Sequence, residues 1–268
     1  ERVRKIASGD ESDAGVWQGL ADLGVSGLLI PESRGGVGLG SMEAAIVAEC
    51  LGYHVTPTPF LSSAVIVPVA LVAAGGQDEL LAAIATGSAR IGVAFGEAVG
   101  ARAGAGISAT GNKLNGKSIF VLDSTANQYL VATNDRHLYL VSREQLKVSN
   151  LSTVDRTRST CELIFDNVPG QLVSKDSAVF IRALDAGRVA IAADTLGAAQ
   201  NMLDQSVAYA KQREQFNRPI ASFQAVKHMC AEMVANLEPC RSMVWYAAHA
   251  LDHIPEEARL TACHTKAH

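Results

Sequence analysis

The stretch Lys211-Gln-Arg-Glu-Gln-Phe-Asn-Arg-Pro-Ile-Ala-Ser-Phe-Gln224 joins two long apolar helical patterns through a loop crowded with phosphate-binding chemistry. Arg213 offers a permanently charged planar fork that suits a pyrophosphate. Phe216 adds a flat apolar face, and Gln224 an amide with donor and acceptor at the start of the next helix. Pro219 fixes the chain between the helices. By spacing alone, this is a helix–loop–helix with a solvated charged end.

Composition narrows the field around that loop. The 268 residues, 48% hydrophobic, can bury large cores in more than one domain, and the 5% aromatic share with abundant Ala and Gly suggests closely packed helices. A net charge of −4 and a pI near 6.0 give no broad basic field for nucleic acid, so phosphate binding must be local. Five scattered cysteines without a Cys-x-x-Cys pair point to a reducing cytoplasm, with neither a disulfide framework nor a zinc site. His249 and His253 lie one helical turn apart but lack a third ligand, so they read as a solvated face and no metal is expected. The most apolar run, Leu61 to Gly75, carries Ser62, Ser63 and Pro68 and is too short to span a bilayer.

The pattern along the chain changes twice. Up to Gly87 it is helical and Ala/Leu-rich, with a helix over Met42–Gly52 and another apolar helix after Thr56-Pro-Thr-Pro-Phe60. From Ile91 it turns to short β-rich runs, including Lys113–Lys117, Gln128–Thr133, His137–Val141 and Glu162–Val168, with Asn115-Gly116 as a tight-hairpin signal. From about Ala178 helical periodicity returns, with Val189, Ala192, Ala193, Leu196 and Ala199 on one face. The reading is an α+β multidomain chain. It has an N-terminal helical domain over 1–88, a middle antiparallel β domain over 89–177, and a C-terminal helical bundle, incomplete here, over 178–268. No internal repeat and no Gly-x-Gly-x-x-Gly motif occurs, which argues against a doubly wound dinucleotide fold.

The Lys211–Gln224 loop resembles the Arg-x-x-Phe-Gly-x-Pro-Ile…Phe-Gln signature of acyl-CoA dehydrogenases, with Asn217 in place of glycine. Asn is the non-glycine residue that most readily turns left-handed, so the exchange is tolerable. Trp17 to Gly40 is similar to the family's N-terminal helix and Val-Pro-Glu-x-x-Gly-Gly-Leu-Gly loop, and the α, β, α order also resembles the family. The resemblance implies FAD as cofactor. Arg213, Phe216 and Gln224 would reach the ADP half of an FAD bound mainly by a neighbouring subunit. It also implies an acyl-CoA thioester as substrate and an electron-transferring flavoprotein as acceptor.

The resemblance further implies a carboxylate base, either on the helix after the β domain or on a loop near the C-terminus. On Leu184 to Gly197 the first position falls on Gly187, so the helix base is absent. Asp185 is no stand-in, because two residues along a helix rotate a side chain by roughly 200°. The second position is expected beyond His268. Arg188 matches an arginine near the catalytic region of relatives, and we keep Arg188 and Asp185 as candidate substrate-binding residues. The β-domain flavin cradle is altered as well. The family's Thr-Glu-Pro…Gly-Ser-Asp loop is replaced by Gly96–Gly106, which keeps only Glu97 and glycine content. The family's Trp-Ile-Thr strand becomes Phe120-Val121-Leu122, in which Phe120 can still pack on a flavin but Leu122 lacks the hydroxyl.

Three readings follow. The first is the non-base-bearing subunit of a hetero-oligomer sharing FAD sites, like the bacterial α2β2 dehydrogenases that act on steroid-derived CoA thioesters. The second is a homotetrameric dehydrogenase with its base beyond residue 268. The third is a noncatalytic scaffold subunit.

Overall fold

The computed structural model describes every residue except position 101. In chain order its helices are α1 (Arg2–Ser8), α2 (Ala14–Asp22), α3 (Ser41–Tyr53), α4 (Val67–Ala74), α5 (Asp78–Ala85), α6 (Gly96–Val99), α7 (Ser177–Gln212), α8 (Gln224–His253) and α9 (Pro255–Ala267). Its strands are β1 (Ile91–Ala94), β2 (Gly106–Thr110), β3 (Lys113–Leu122), β4 (Gln128–Ala132), β5 (Leu138–Ser142), β6 (Lys147–Leu151), β7 (Thr160–Pro169), β8 (Gln171–Ser174), β9 (Glu214–Gln215) and β10 (Arg218–Pro219). The chain forms two compact units: Glu1–Gly40 with Pro57–Gly187, and Ser41–Thr56 with Arg188–His268.

The first unit is built on an eight-stranded sheet in the order β6-β7-β3-β1-β4-β5-β8, with β2 paired to β3. Its pairs are antiparallel except β1 with β4, which run parallel. The β2–β3 hairpin lies between these two in sequence and supplies the long crossover that a parallel pair needs. At the centre of the sheet, in β1, β4 and β5, both faces are buried, and alternation sorts the side chains. Leu130, Ala132, Leu138 and Leu140 face a core shared with Leu71, Leu81, Ile84 and Phe180 of the helices. Tyr129, Val131, Tyr139 and Val141 face a second core with Leu114, Cys161 and Phe165. A period of two with apolar residues in both phases is what makes β4 and β5 read as continuous apolar runs.

Two sequence expectations change here. The β2–β3 turn is at Gly111–Asn112, since Thr110 pairs with Lys113, and Asn115-Gly116 lies inside β3. Gly116 has φ +124°, and a Cβ there would sit 2.0 Å from the Gly106 carbonyl oxygen, so this glycine serves a close strand approach. Asn115 Oδ1 accepts the Asn167 N–H at 2.8 Å. The apolar segment after Pro59 starts as a wider π-helical stretch, Phe60–Ile66, before α4. The Ser63 hydroxyl lies 3.0 Å from the Ile91 N–H that it accepts and 3.2 Å from the Ile91 carbonyl, tying this stretch to β1.

The second unit is helical. α3 and α7 cross at two glycines: a Cβ at Gly52 would lie 1.9 Å from the Asp194 carbonyl oxygen, and one at Gly197 1.9 Å from that of Glu49. Arg241 of α8 pairs with Glu49 and donates to Gln200 Oε1 at 3.1 Å. Asp252 accepts the Ser41 N–H at 2.6 Å and the Ser41 hydroxyl at 2.8 Å, which places a carboxylate at the positive end of α3. No described helix is long and apolar enough to cross a membrane, and all five cysteines are free thiols.

Candidate functional site

In the second unit, α7 and α8 are joined by a two-residue hairpin. Arg218 pairs with Gln215, leaving Phe216 and Asn217 as the turn, at φ +56° and +60°. Two left-handed residues in succession define the mirror-type turn that suits strand twist. Asn217 takes that conformation readily, whereas a bulky Phe216 does so at a cost. The backbone of Arg213 is held on both sides: its N–H donates to the Tyr209 carbonyl at 2.8 Å, and its carbonyl accepts from Ile220 N–H at 2.8 Å. Its guanidinium is exposed, and no described residue pairs with it. Phe216 is 85% exposed, its ring meeting Phe223 edge-on at 5.9 Å. The Arg218 guanidinium stacks 4.1 Å over the other ring. Gln224 opens α8, its amide 3.4 Å from His228 Nε2. The segment thus presents a charged fork, an apolar face and an amide to whatever approaches it.

In the first unit, the register between β3 and β7 shifts between Ser118 and Val121, where β3 carries one extra residue. Phe120 lies in this bulge at φ +56° and is 53% exposed. The buried Glu97 carboxylate, from α6, accepts the Ser118 hydroxyl at 2.5 Å and the Ile119 N–H at 2.9 Å. Arg102 places its guanidinium 5.1 Å above the Phe120 ring. Ala101, within the expected cradle loop, lies outside the described residues. Leu122 packs against the helix-side core and lines a cavity of about 40 Å³ with Asp13, Thr58, Arg90, Asp123 and Ser159.

Arg90 lines that cavity. It donates to both Asp13 oxygens at 2.8 and 2.9 Å and to both Asp123 oxygens at 3.1 Å. Burial alone would push its pKa down, but hydrogen bonding to Asp13 and the charge of Asp123 outweigh it and raise the value further. This pairing spans 77 residues and has no local sequence signal. Nearby, burial raises the pKa of the Tyr129 phenol and that of the Cys161 thiol, 3.9 Å from its oxygen.

The α7 position where a base was sought is filled. A Cβ at Gly187 would come within 2.8 Å of both Cγ1 and Cδ1 of Ile66, which is buried. Asp185 is 3% exposed in the first unit, and Arg188 is half-buried in the second; both are engaged with other groups. His249 and His253 have ring centroids 4.7 Å apart and are tilted by 42°, and among the described residues no group of three or more His, Cys, Asp or Glu side chains is placed to hold a metal ion.

The structure therefore brings Arg213, Phe216 and Gln224 onto one short segment and sets Phe120 and Asp185 in the other unit. FAD, which the sequence resemblance implies, fits these groups unevenly. The free guanidinium and exposed ring of the hairpin suit its diphosphate and adenine. On β3, by contrast, Leu122 brings no donor and the Glu97 carboxylate is spent on the strand itself.

Comparison with known proteins agrees with the fold. The family model described as "Acyl-CoA dehydrogenase, N-terminal domain" matches residues 1–90, and "Acyl-CoA dehydrogenase, C-terminal domain" matches 177–267. The chain is 32% identical to the acyl-CoA dehydrogenase FadE34 of Mycobacterium tuberculosis over 88% of its own length, and spans 32% of that protein. It is 30% identical to the acyl-CoA dehydrogenase IpdE2 of the same organism, over 92% of this chain and 70% of the relative. Among solved structures, the steroid ACAD Tcur3481–Tcur3483 superposes with a TM-score of 0.84 at 29% identity, covering 99% of this chain and 80% of that one.

Proposed function

Because the chain belongs to the acyl-CoA dehydrogenase family, we propose that it takes part in FAD-dependent α,β-dehydrogenation of an acyl-CoA thioester as one subunit of a hetero-oligomer. In this reading its hairpin reaches an FAD held chiefly by the other subunit type. The observation that carries it is the contrast between an intact hairpin, with Arg213 free and exposed, and an α7 in which Ile66 backs Gly187.

In the family's reaction a carboxylate removes the α-proton of the thioester while the β-hydrogen leaves as hydride, for which bound FAD supplies the acceptor. This chain contributes electrostatics and orientation. Arg213 neutralises diphosphate charge through its fork, Phe216 offers a stacking face, and Gln224 adds an amide at the start of α8. Phe120 belongs to this chain's own altered flavin cradle on β3 and is assigned there as a ring that can border a flavin. In this reading the base comes from the partner subunit, in keeping with the glycine at position 187, where the family's helix base would fall. Arg188 and Asp185 are assigned to the substrate side, where Asp185 acts from its buried position rather than by proton transfer.

A steroid-derived acyl group is the proposed substrate class, supported by the likeness to the steroid ACAD Tcur3481–Tcur3483, whose name joins two components. Electron-transferring flavoprotein is the proposed acceptor. Five free thiols support a cytoplasmic location.

The test is the visible flavin spectrum and FAD-to-chain ratio of the protein, purified alone and co-expressed with a candidate acyl-CoA dehydrogenase-like partner subunit. The reading requires FAD only in the complex, at about half an equivalent per chain of a symmetric pair of unlike subunits. One FAD per chain in the lone protein overturns the shared-site reading and favours the homotetramer with its base beyond residue 268. A complex whose FAD content ignores Arg213→Ala makes this chain a scaffold.

A further inference from the structure

We propose that Glu97 is a positioning residue: its carboxylate holds the β3 bulge and thereby keeps the Phe120 ring outside the sheet. Alternation on β3 carries the argument. Leu114 and Ser118 are both fully buried and share one face, and Gly116 between them has no side chain to place. A regular strand, in which residues two apart share a face, would put Phe120 on that buried face next. The extra residue breaks the phase, so Val121, 1% exposed, takes the buried place while Phe120 turns out at 53% exposure.

That arrangement is intrinsically unfavourable. Phe120 adopts a left-handed backbone that bulky residues avoid, and a bulge leaves part of the ladder unpaired. Glu97 supplies what the ladder lost: one oxygen takes the Ile119 N–H at 2.9 Å, and the other takes the hydroxyl of Ser118, which is itself fully buried. Both contacts flank Phe120 on its N-terminal side. A carboxylate this enclosed, bonded to two adjacent residues of one strand, fixes where the bulge falls and so which side chain is expelled. Aspartate, one methylene shorter, cannot span the same distance. Glutamine can, accepting from Ile119 N–H with its oxygen and donating to the Ser118 hydroxyl oxygen with its nitrogen.

The functional weight of this clamp rests on Phe120 bordering the cofactor, as proposed above, but the positioning itself is testable without cofactor. A Phe120→Trp reporter is made in a Trp245→Phe background, which leaves only Trp17, 2% exposed, as a second emitter. Iodide quenching of the lone chain then reads the exposure of position 120. Glu97→Asp and Glu97→Ala are expected to lower the quenching constant by about twofold or more as the ring falls back to the buried face, while Glu97→Gln keeps the parental value. Equal quenching in all four chains overturns the proposal, as does loss in Glu97→Gln to the level of Glu97→Asp. If Glu97→Ala does not fold, the Asp and Gln variants decide alone. FAD retention by the co-expressed complex is measured on the same variants. Quenching that falls while retention is unchanged leaves the clamp standing and removes Phe120 from the cofactor site.

Discussion

Gly187→Ala adds a single methyl where the structure leaves no room, and its cost is predicted to depend on Ile66. The new Cβ would stand 2.8 Å from two Ile66 carbons, when ordinary contacts begin near 3.4 Å. Ile66 is β-branched and 6% exposed, so it cannot simply rotate away. Overpacking of this kind costs about 1–3 kcal/mol, while replacing glycine by alanine inside a helix returns about 1 kcal/mol. Gly187→Ala alone is therefore expected to be neutral to about 2 kcal/mol destabilising. In an Ile66→Ala background, where both clashing carbons are gone, the same change should stabilise by about 1 kcal/mol, a coupling of about 1–3 kcal/mol. Urea unfolding of the four chains, followed by circular dichroism, measures the cycle. If Gly187→Ala shifts stability equally in both backgrounds, within about 0.5 kcal/mol, Ile66 does not fill the base position, and the physical reason given for the missing base is wrong.

Three further outcomes follow from other parts of the structure. Arg213→Ala should leave the melting curve of the free chain unchanged yet weaken FAD binding by the co-expressed complex about 10- to 100-fold, the worth of one charged hydrogen bond, with Arg213→Lys only partly restoring it; tight binding by the alanine variant would refute the assignment. Gly52→Ala or Gly197→Ala should each force α3 from α7 and destabilise by about 1–3 kcal/mol or more, with the double variant costing less than the sum because both act on one crossing; additive losses would contradict a shared contact. Burial raises the pKa of Tyr129 and of Cys161 above their ordinary 10.0 and 9.0, so the folded state keeps protons that the unfolded chain releases. Stability from this source is full below pH 9 and declines as pH rises through the folded values; the decline in an alkaline denaturation series should shrink in Tyr129→Phe, and an unchanged slope would show that these groups do not control it.

Much of the architecture was legible because periodicity reports burial. Of the face read on α7, Val189, Ala193 and Leu196 are buried and Ala192 and Ala199 half-buried, and β4, β5 and β7 fall on the runs read as strands. The hairpin was legible at the level of residue type, and Asn217 adopts the left-handed backbone its chemistry allows. Other features were hidden for identifiable reasons. Asn115-Gly116 is a strong local turn signal, but Gly111-Asn112 competes four residues earlier, and cross-strand pairing chose the latter. The bulge at Phe120 was invisible because Ile119, Phe120, Val121 and Leu122 are all apolar, so no alternation marks which one is expelled. The Arg90 clamp and the Ile66 obstruction join residues far apart in sequence, and no window on one segment contains both partners.

The turn at Phe216 and Asn217 sets folding against association. A two-residue turn with both backbones left-handed is served best by Asn-Gly, yet its first position here is phenylalanine. A ring in that backbone costs the isolated chain stability, so it sets being a better folded monomer against being a better neighbour. Because the strained turn is already formed before any encounter, the ring arrives ordered, and little conformational freedom remains to be lost on docking. A glycine at this position should yield a sturdier protein and a poorer associate, the two changes arising from one side chain.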